Sequence, residues 1–260
     1  MTIYSHSKLS TFEQCPLKFK FKYIKKIPPD FKQSIEGFLG NKVHDTLEWV
    51  YNHKNKHLLK IDDLIEYYAQ AWAKDFNPEI KIVKQNLTAE VYFNKGIKFL
   101  INYFQKHTPF IDNTIATEKK ILLNIHPEKD YQIIGYIDRL VHHKDTNIFE
   151  IHDYKTSGTM KSQTDLDKDR QLALYSIAIK EQQNASDVNL IWHFLDFNQQ
   201  VISKRTTEQL RQLKQEIINL IEKIESATEF PPYQSMLCNW CEYQSNCPTI
   251  NKGQTSISNF

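Results

Sequence analysis

The sequence predicts an α/β fold, with a helical insertion ahead of the first long strand. Three observations carry this. The first part of the chain places apolar residues at helical spacing, residues 115–154 turn β-branched and aromatic in three short runs, and helix and strand patterns alternate afterwards. Ser7 to about Lys26 opens on small polar residues and keeps regular apolar positions, which predicts a helix. A second helix, from near Glu36 to about His53, turns Phe38, Val43, Leu47 and Val50 to a core. Ile61 to Phe76 and Leu87 to His107 follow as helices, broken by Pro78 and Pro109. Ile115–Ile125, Tyr131–His142 and Ile148–Tyr154 then read as a three-stranded meander. A helix from about Leu166 to Lys180 comes next, with strands over Val188–Phe197 and near Val201. A long helix from Thr206 to about Thr228 ends before Pro231-Pro232.

Composition limits the function classes. Hydrophobic residues make up 40% of the chain and charged residues 25%, which fits a globular protein. No stretch approaches the roughly 20 apolar residues needed to span a bilayer. The start, MTIYSHSKLSTFEQCP, has no apolar leader, which predicts a cytoplasmic protein and no membrane partner. The net charge of +2 is too small to name a nucleic-acid partner by itself. The segment Lys18 to Lys26 interleaves lysines with aromatics, a pattern suited to phosphates and bases but equally to an amphipathic helix with a solvated basic face.

The chemistry lies in a set of separated residues: His44, Gly135-Tyr136-Ile137-Asp138, Asp153-Tyr154-Lys155, Gln171 and Tyr175. Side chains alternate along a strand, so Asp153 and Lys155 share one side and Tyr154 takes the other. A neighbouring antiparallel strand bearing Asp138 adds a second carboxylate. Two carboxylates and a backbone carbonyl, here that of Tyr154, make a hard-ligand site for Mg²⁺ or Mn²⁺, and the imidazole of His44 shifts preference towards Mn²⁺. Lys155 can orient or deprotonate an attacking water and offset phosphate charge. Gln171 and Tyr175 lie one helical turn apart and share a face. Each feature is ordinary alone: an Asp-x-Lys triplet is common at a solvated strand end, and a helical histidine is usually a satisfied half-buried residue. Their order and their elements point to cleavage of phosphodiester bonds.

Four cysteines frame this region. Cys238, Cys241 and Cys247 fall in one short loop, and Cys15 comes from the other end of the chain. Without a signal segment they point to metal ligation rather than disulfides. Spacing alone fits either Zn²⁺ or a [4Fe–4S] cluster.

On these residues the chain resembles a PD-(D/E)XK nuclease of the RecB-like branch, similar to the Cas4-type and AddB-type iron–sulfur DNA nucleases. The matching residues are Ser7-Lys8-Leu9-Ser10 with Cys15-Pro16, Gly40 through His44, Gly135 through Asp138, Asp153-Tyr154-Lys155, Gln171 with Tyr175, and the three C-terminal cysteines. The resemblance implies a restriction-endonuclease-like core, a mixed central sheet flanked by helices. Residues 1–248 would form one nuclease domain with its insertion at about 54–113 and a C-terminal iron–sulfur clasp. It implies Mn²⁺ or Mg²⁺ on His44, Asp138, Asp153 and the Tyr154 carbonyl. Asp138, Asp153, Lys155, Gln171 and Tyr175 would be catalytic, and a [4Fe–4S] cluster would sit on Cys15, Cys238, Cys241 and Cys247. Glu118 receives no role.

The expected activity is metal-dependent hydrolysis of DNA, as an exonuclease on single-stranded or flapped ends, in repair, recombination or CRISPR spacer acquisition. A non-catalytic iron–sulfur DNA-binding scaffold and an RNA-processing nuclease are the alternatives. The tail, residues 249–260, reads as flexible. Its Gln254, Ile257 and Phe260 resemble a peptide that docks on the sliding clamp PCNA, and a helicase is a further candidate partner.

Overall fold

The computed structural model describes residues 2–126 and 128–251, so the tail peptide at Gln254, Ile257 and Phe260 lies outside the described residues. Six strands form one mixed sheet: β1 (Thr2–Ser5), β2 (Thr114–Asn124), β3 (Tyr131–His143), β4 (Ile148–Lys155), β5 (Asp187–Phe194) and β6 (Gln199–Ser203). The long β3 organises it. Along one edge it pairs antiparallel with β2, from Asn124↔Gln132 to Thr114↔Val141. Its other edge is shared. β1 pairs in parallel with residues 131–134, and β4 pairs antiparallel with residues 139–143. Residues 135–138 therefore have no strand partner on that edge, and the sheet carries a notch there. The meander β2–β3–β4 is as expected; β1 was not foreseen.

Helices cover both faces. On one side lie α1 (His6–Gln14), α2 (Pro16–Phe19), α7 (Arg170–Gln183) and α8 (Thr207–Ser226), over a core that includes Leu9, Phe19, Ile133, Ile137, Leu174 and Trp192. The helix α8 starts at a capping box of Thr206 and Gln209 and buries Leu210, Leu213, Ile217, Ile221 and Ile224, a stripe at helical spacing. On the other side α3 (Ile35–Asn52), α4 (Ile61–Asp75) and α5 (Ala89–His107) build a second core with Tyr154 and Leu195. The helical insertion of the sequence reading contains α4 and α5. Two short helices, α6 (Gln163–Leu166) and α9 (Pro248–Asn251), complete the description. None of the helices among the described residues is long and apolar enough to cross a membrane.

Three boundaries differ from expectation. The single helix expected over Ser7–Lys26 is broken at Cys15, whose backbone is extended (φ −161°), because Pro16 cannot continue a helix and instead starts the next one. Lys20–Ile24 then form a π-helical turn. The helix expected from Leu166 begins at Arg170 behind an Asp169 cap, with α6 ahead of it. The strand β5 stops at Phe194, where residues 195–197 turn and Asn198 takes a left-handed φ of 50°.

Candidate active site

The notch in β3 holds most of the sequence-predicted residues. Beyond Arg139↔His152 the strands β3 and β4 separate, and the Asp138 carboxylate replaces the missing ladder partner by accepting from the Tyr154 N–H at 2.8 Å. From α3, His44 reaches in with Nε2 2.8 Å from the Tyr154 carbonyl oxygen and Nδ1 3.5 Å from Asp138 Oδ2. Gly40, one turn before His44, makes room: a Cβ there would lie 3.1 Å from Thr156 Oγ1, just beyond β4. Asp153 faces the opposite side of β4 from Tyr154, as alternation requires, and pairs with Lys155 Nζ at 2.7 Å. Lys155 also donates to Gln171 Oε1 at 3.3 Å, and the Gln171 amide donates to the Tyr175 hydroxyl at 3.5 Å. The Tyr175 ring packs closely against Gly135, where a Cβ would come within 2.2 Å of it. Gln171 therefore meets Lys155, and Tyr175 reaches it through Gln171.

A residue without a role in the sequence reading joins the site. Ligand atoms of His44, Glu118 and Asp138 lie within 4.8 Å of one another. Alternation allows it, because Glu118 stands opposite Asp138, between Thr117↔Arg139 and Lys119↔Ile137; the residues out of step are Thr117 and Arg139. Thr117 contacts Asn52 of α3, and the next residue, Glu118, faces α3 as well. Opposite them, Asp138 and Arg139 also face α3 in succession. Both strands therefore switch faces at one level without a change of register, and Glu118 there has a left-handed φ of 43°. Nothing in the sequence signals a positive φ at a glutamate.

Electrostatics follow from this crowding. Burial pushes the Glu118 carboxyl up to about 7, helped by Asp138, Glu48 and Asp45 and opposed by His44. Burial likewise raises Asp138, with Asp153 adding to it and His44, the Tyr154 N–H and Lys155 opposing. Burial works against the Lys155 charge, but Asp153 above all holds the ammonium above the ordinary lysine range. The cluster is rich in negative oxygens that lack compensating charge, which is what a divalent cation supplies.

Directly behind it, Arg139 is buried in a closed polar network. It donates to Tyr154 OH at 3.0 Å, to His152 Nδ1 at 2.8 Å and to Asp112, and its guanidinium lies 4.3 Å over the Tyr51 ring. Arginine only donates, so His152 Nδ1 is the acceptor, and His193 Nε2 at 2.8 Å must donate to it. His152 Nε2 then donates to Glu150 at 3.2 Å. Burial lowers His152 to about 4 and His193 well below the ordinary value, so both rings are neutral.

The comparisons agree with this architecture. A family model described as PD-(D/E)XK nuclease superfamily matches residues 3–248. The chain belongs to the PD-(D/E)XK nuclease superfamily. A crystal structure from Eubacterium rectale, named as a candidate exonuclease, superimposes on 98% of this chain and 90% of its own, with a TM-score of 0.53 at 10% identity. At that identity the likeness shows the shared fold. A second structure, of a protein named SSO0001, covers 81% of this chain and 94% of its own, with a TM-score of 0.42 at 18% identity. None of the curated proteins matches the sequence.

This nuclease carries its four cysteines together as well. Cys15, Cys238, Cys241 and Cys247 are free, half-buried and line one cavity. The backbone N–H of Tyr233 points at Cys15 Sγ (3.5 Å) and that of Ser235 at Cys238 Sγ (3.4 Å). Around them the two chain ends are tied by Leu17 N–H to Pro231 O, Asp30 N–H to Glu242 O, and Lys18 to Glu242 at 2.7 Å.

Proposed function

We propose that the protein is a metal-dependent DNA nuclease, acting as an exonuclease on single-stranded or flapped ends, with residues 1–248 as one nuclease domain. The observation that carries this is the convergence of His44, Glu118, Asp138 and the Tyr154 carbonyl beside the Lys155–Asp153 pair. Those four groups, with Asp153, are the candidate ligands for Mn²⁺ or Mg²⁺. When bound, such an ion polarises a phosphate oxygen and lowers the pKa of its water. Lys155, held cationic and aimed by Gln171 and Tyr175, positions the attacking water and offsets charge developing on the phosphate. Asp153 keeps that ammonium in place.

The cysteine cavity supports an iron–sulfur clasp. Four free, half-buried thiols lining one cavity are the ligand number that a [4Fe–4S] cube takes, one thiolate on each iron. The clasp would join the chain ends rather than take part in cleavage. Iron and sulfide analysis of anaerobically purified protein, with melting of Cys241→Ser, tests this: absence of iron, or an unchanged melt, refutes it.

The decisive experiment is cleavage of end-labelled single-stranded DNA with Mn²⁺, Mg²⁺ or EDTA, beside a matched RNA strand. Lys155→Ala should cut about 10²–10³-fold more slowly while melting normally. Cutting that survives EDTA, or a fully active Lys155→Ala protein, sinks the mechanism.

A further inference from the structure

The α3 side of the sheet is covered unevenly. The second core draws on α3, α4 and α5 with Phe110, Tyr154 and Leu195, and takes no residue from β1, β2 or β3. Along those strands Tyr4, Ile121, Leu123, Ile133 and Ile137 point into the other core. Their neighbours in sequence must face the uncovered side. These neighbours include Ile3, Leu122 and Tyr136, which are 44%, 42% and 50% exposed. The register makes them contiguous: Ile3 pairs with Gln132, Leu122 with Ile134, and Lys120 with Tyr136. Singly exposed apolar residues are normal, but three on adjacent strands form a surface.

We propose that this face is a stacking platform for the bases of an unpaired DNA strand, with Tyr136 as its central contact. The inference rests on the nuclease reading above and names the surface that would hold the substrate's bases. Two features choose this occupant over a protein partner. The platform is continuous with the site: Tyr136 and Asp138 share a strand and a face, about 7 Å apart along β3, and both lie in the unpaired segment 135–138. It is also edged by exposed Lys120, directly opposite Tyr136, where a phosphate backbone would run. In a duplex the bases are stacked and paired internally, so only an unpaired strand can lay a base on the Tyr136 ring. A strand held here by its bases would enter the notch with a backbone phosphate next to Asp138.

The test uses full-length protein and two fluorescent probes, a short oligothymidylate and a hairpin duplex of similar length whose loop is a polyether linker without bases, in EDTA so that no cleavage intervenes. Tyr136→Ala should bind the oligothymidylate about tenfold more weakly, and Tyr136→Phe, which keeps the ring, should stay within about twofold of wild type. Hairpin binding should be unchanged in both. In cleavage with Mn²⁺, Tyr136→Ala should raise KM and leave kcat unaltered. Wild-type affinity of Tyr136→Ala for the single strand overturns the platform, and so does an equal loss on the hairpin. If the wild type binds but never cuts, while Tyr136→Ala still loses the single strand, the catalytic reading fails and the platform stands.

Discussion

Two polar regions meet at consecutive residues of β3, and they differ in how their charges are met. Arg139 looks into a closed network in which Asp112, Tyr154, His152 and the Tyr51 ring satisfy it from several sides. Asp138 looks into a group where Glu118 adds a second carboxylate and His44 and one N–H are the near counterweights. The first drives its histidines neutral; the second pushes its carboxyls up. Polar groups paired within the protein hold the fold, whereas carboxylates left short of positive charge prepare a place for a cation. The change of face between Asp138 and Arg139 is what lets neighbouring residues serve both ends.

The contrast predicts opposite consequences of removing charge. Arg139→Met removes the cation beside Asp112, which keeps Thr114, and one donor each from His152 and Tyr154, which keep His193 and Tyr103. It should cost about 3 kcal/mol, the usual consequence of deleting one member of a buried ionic group. Urea unfolding measures it, and a loss below about 1 kcal/mol would mean the network is less closed than its geometry implies. Cleavage should fall with it, since Tyr154 OH and its backbone carbonyl belong to the same residue.

The strands β2, β3 and β4 and the helices α3 and α8 were legible in the sequence, because each buries a regular stripe that periodicity reports. The strand β1 was not: four residues are too few for a pattern, and Thr2–Ser5 become a strand only because the β3 edge is there to pair with. The break at Cys15-Pro16 was legible in principle, since proline starts helices and does not continue them. In the site, His44, Asp138, Asp153, Lys155, Gln171 and Tyr175 could be picked out by type and order. Their division was not visible: His44 and Asp138 meet Glu118, while Asp153 and Gln171 meet Lys155 and Tyr175 holds Gln171. Glu118 depends on its register against Asp138 across β2 and β3, and Arg139, His152 and His193 depend on pairings across β3, β4 and β5, which no local window contains.

Removing charge on the Asp138 side should act the other way. Glu118→Gln keeps shape and deletes the crowded carboxylate, so in EDTA the variant should be more stable than wild type, and Mn²⁺ should bind it about tenfold more weakly. The sign follows from the raised carboxyl. A folded pKa of about 7 against an ordinary 4.5 means that the protonated form is favoured in the fold. Its contribution is full below about pH 4.5 and is lost as pH rises through about 7. The advantage of Glu118→Gln should therefore be absent near pH 4.5 and reach about 1 kcal/mol near pH 8, a figure discounted for solvent around a half-exposed group. The buried histidines act oppositely, adding stability above about pH 6.5 that is lost as pH falls, but they are common to both proteins and cancel in the difference. Melting in EDTA across this range, then with Mn²⁺, reads both effects. A variant less stable than wild type at pH 8 without metal would place Glu118 among the satisfied groups and erase the distinction between the two sides of β3.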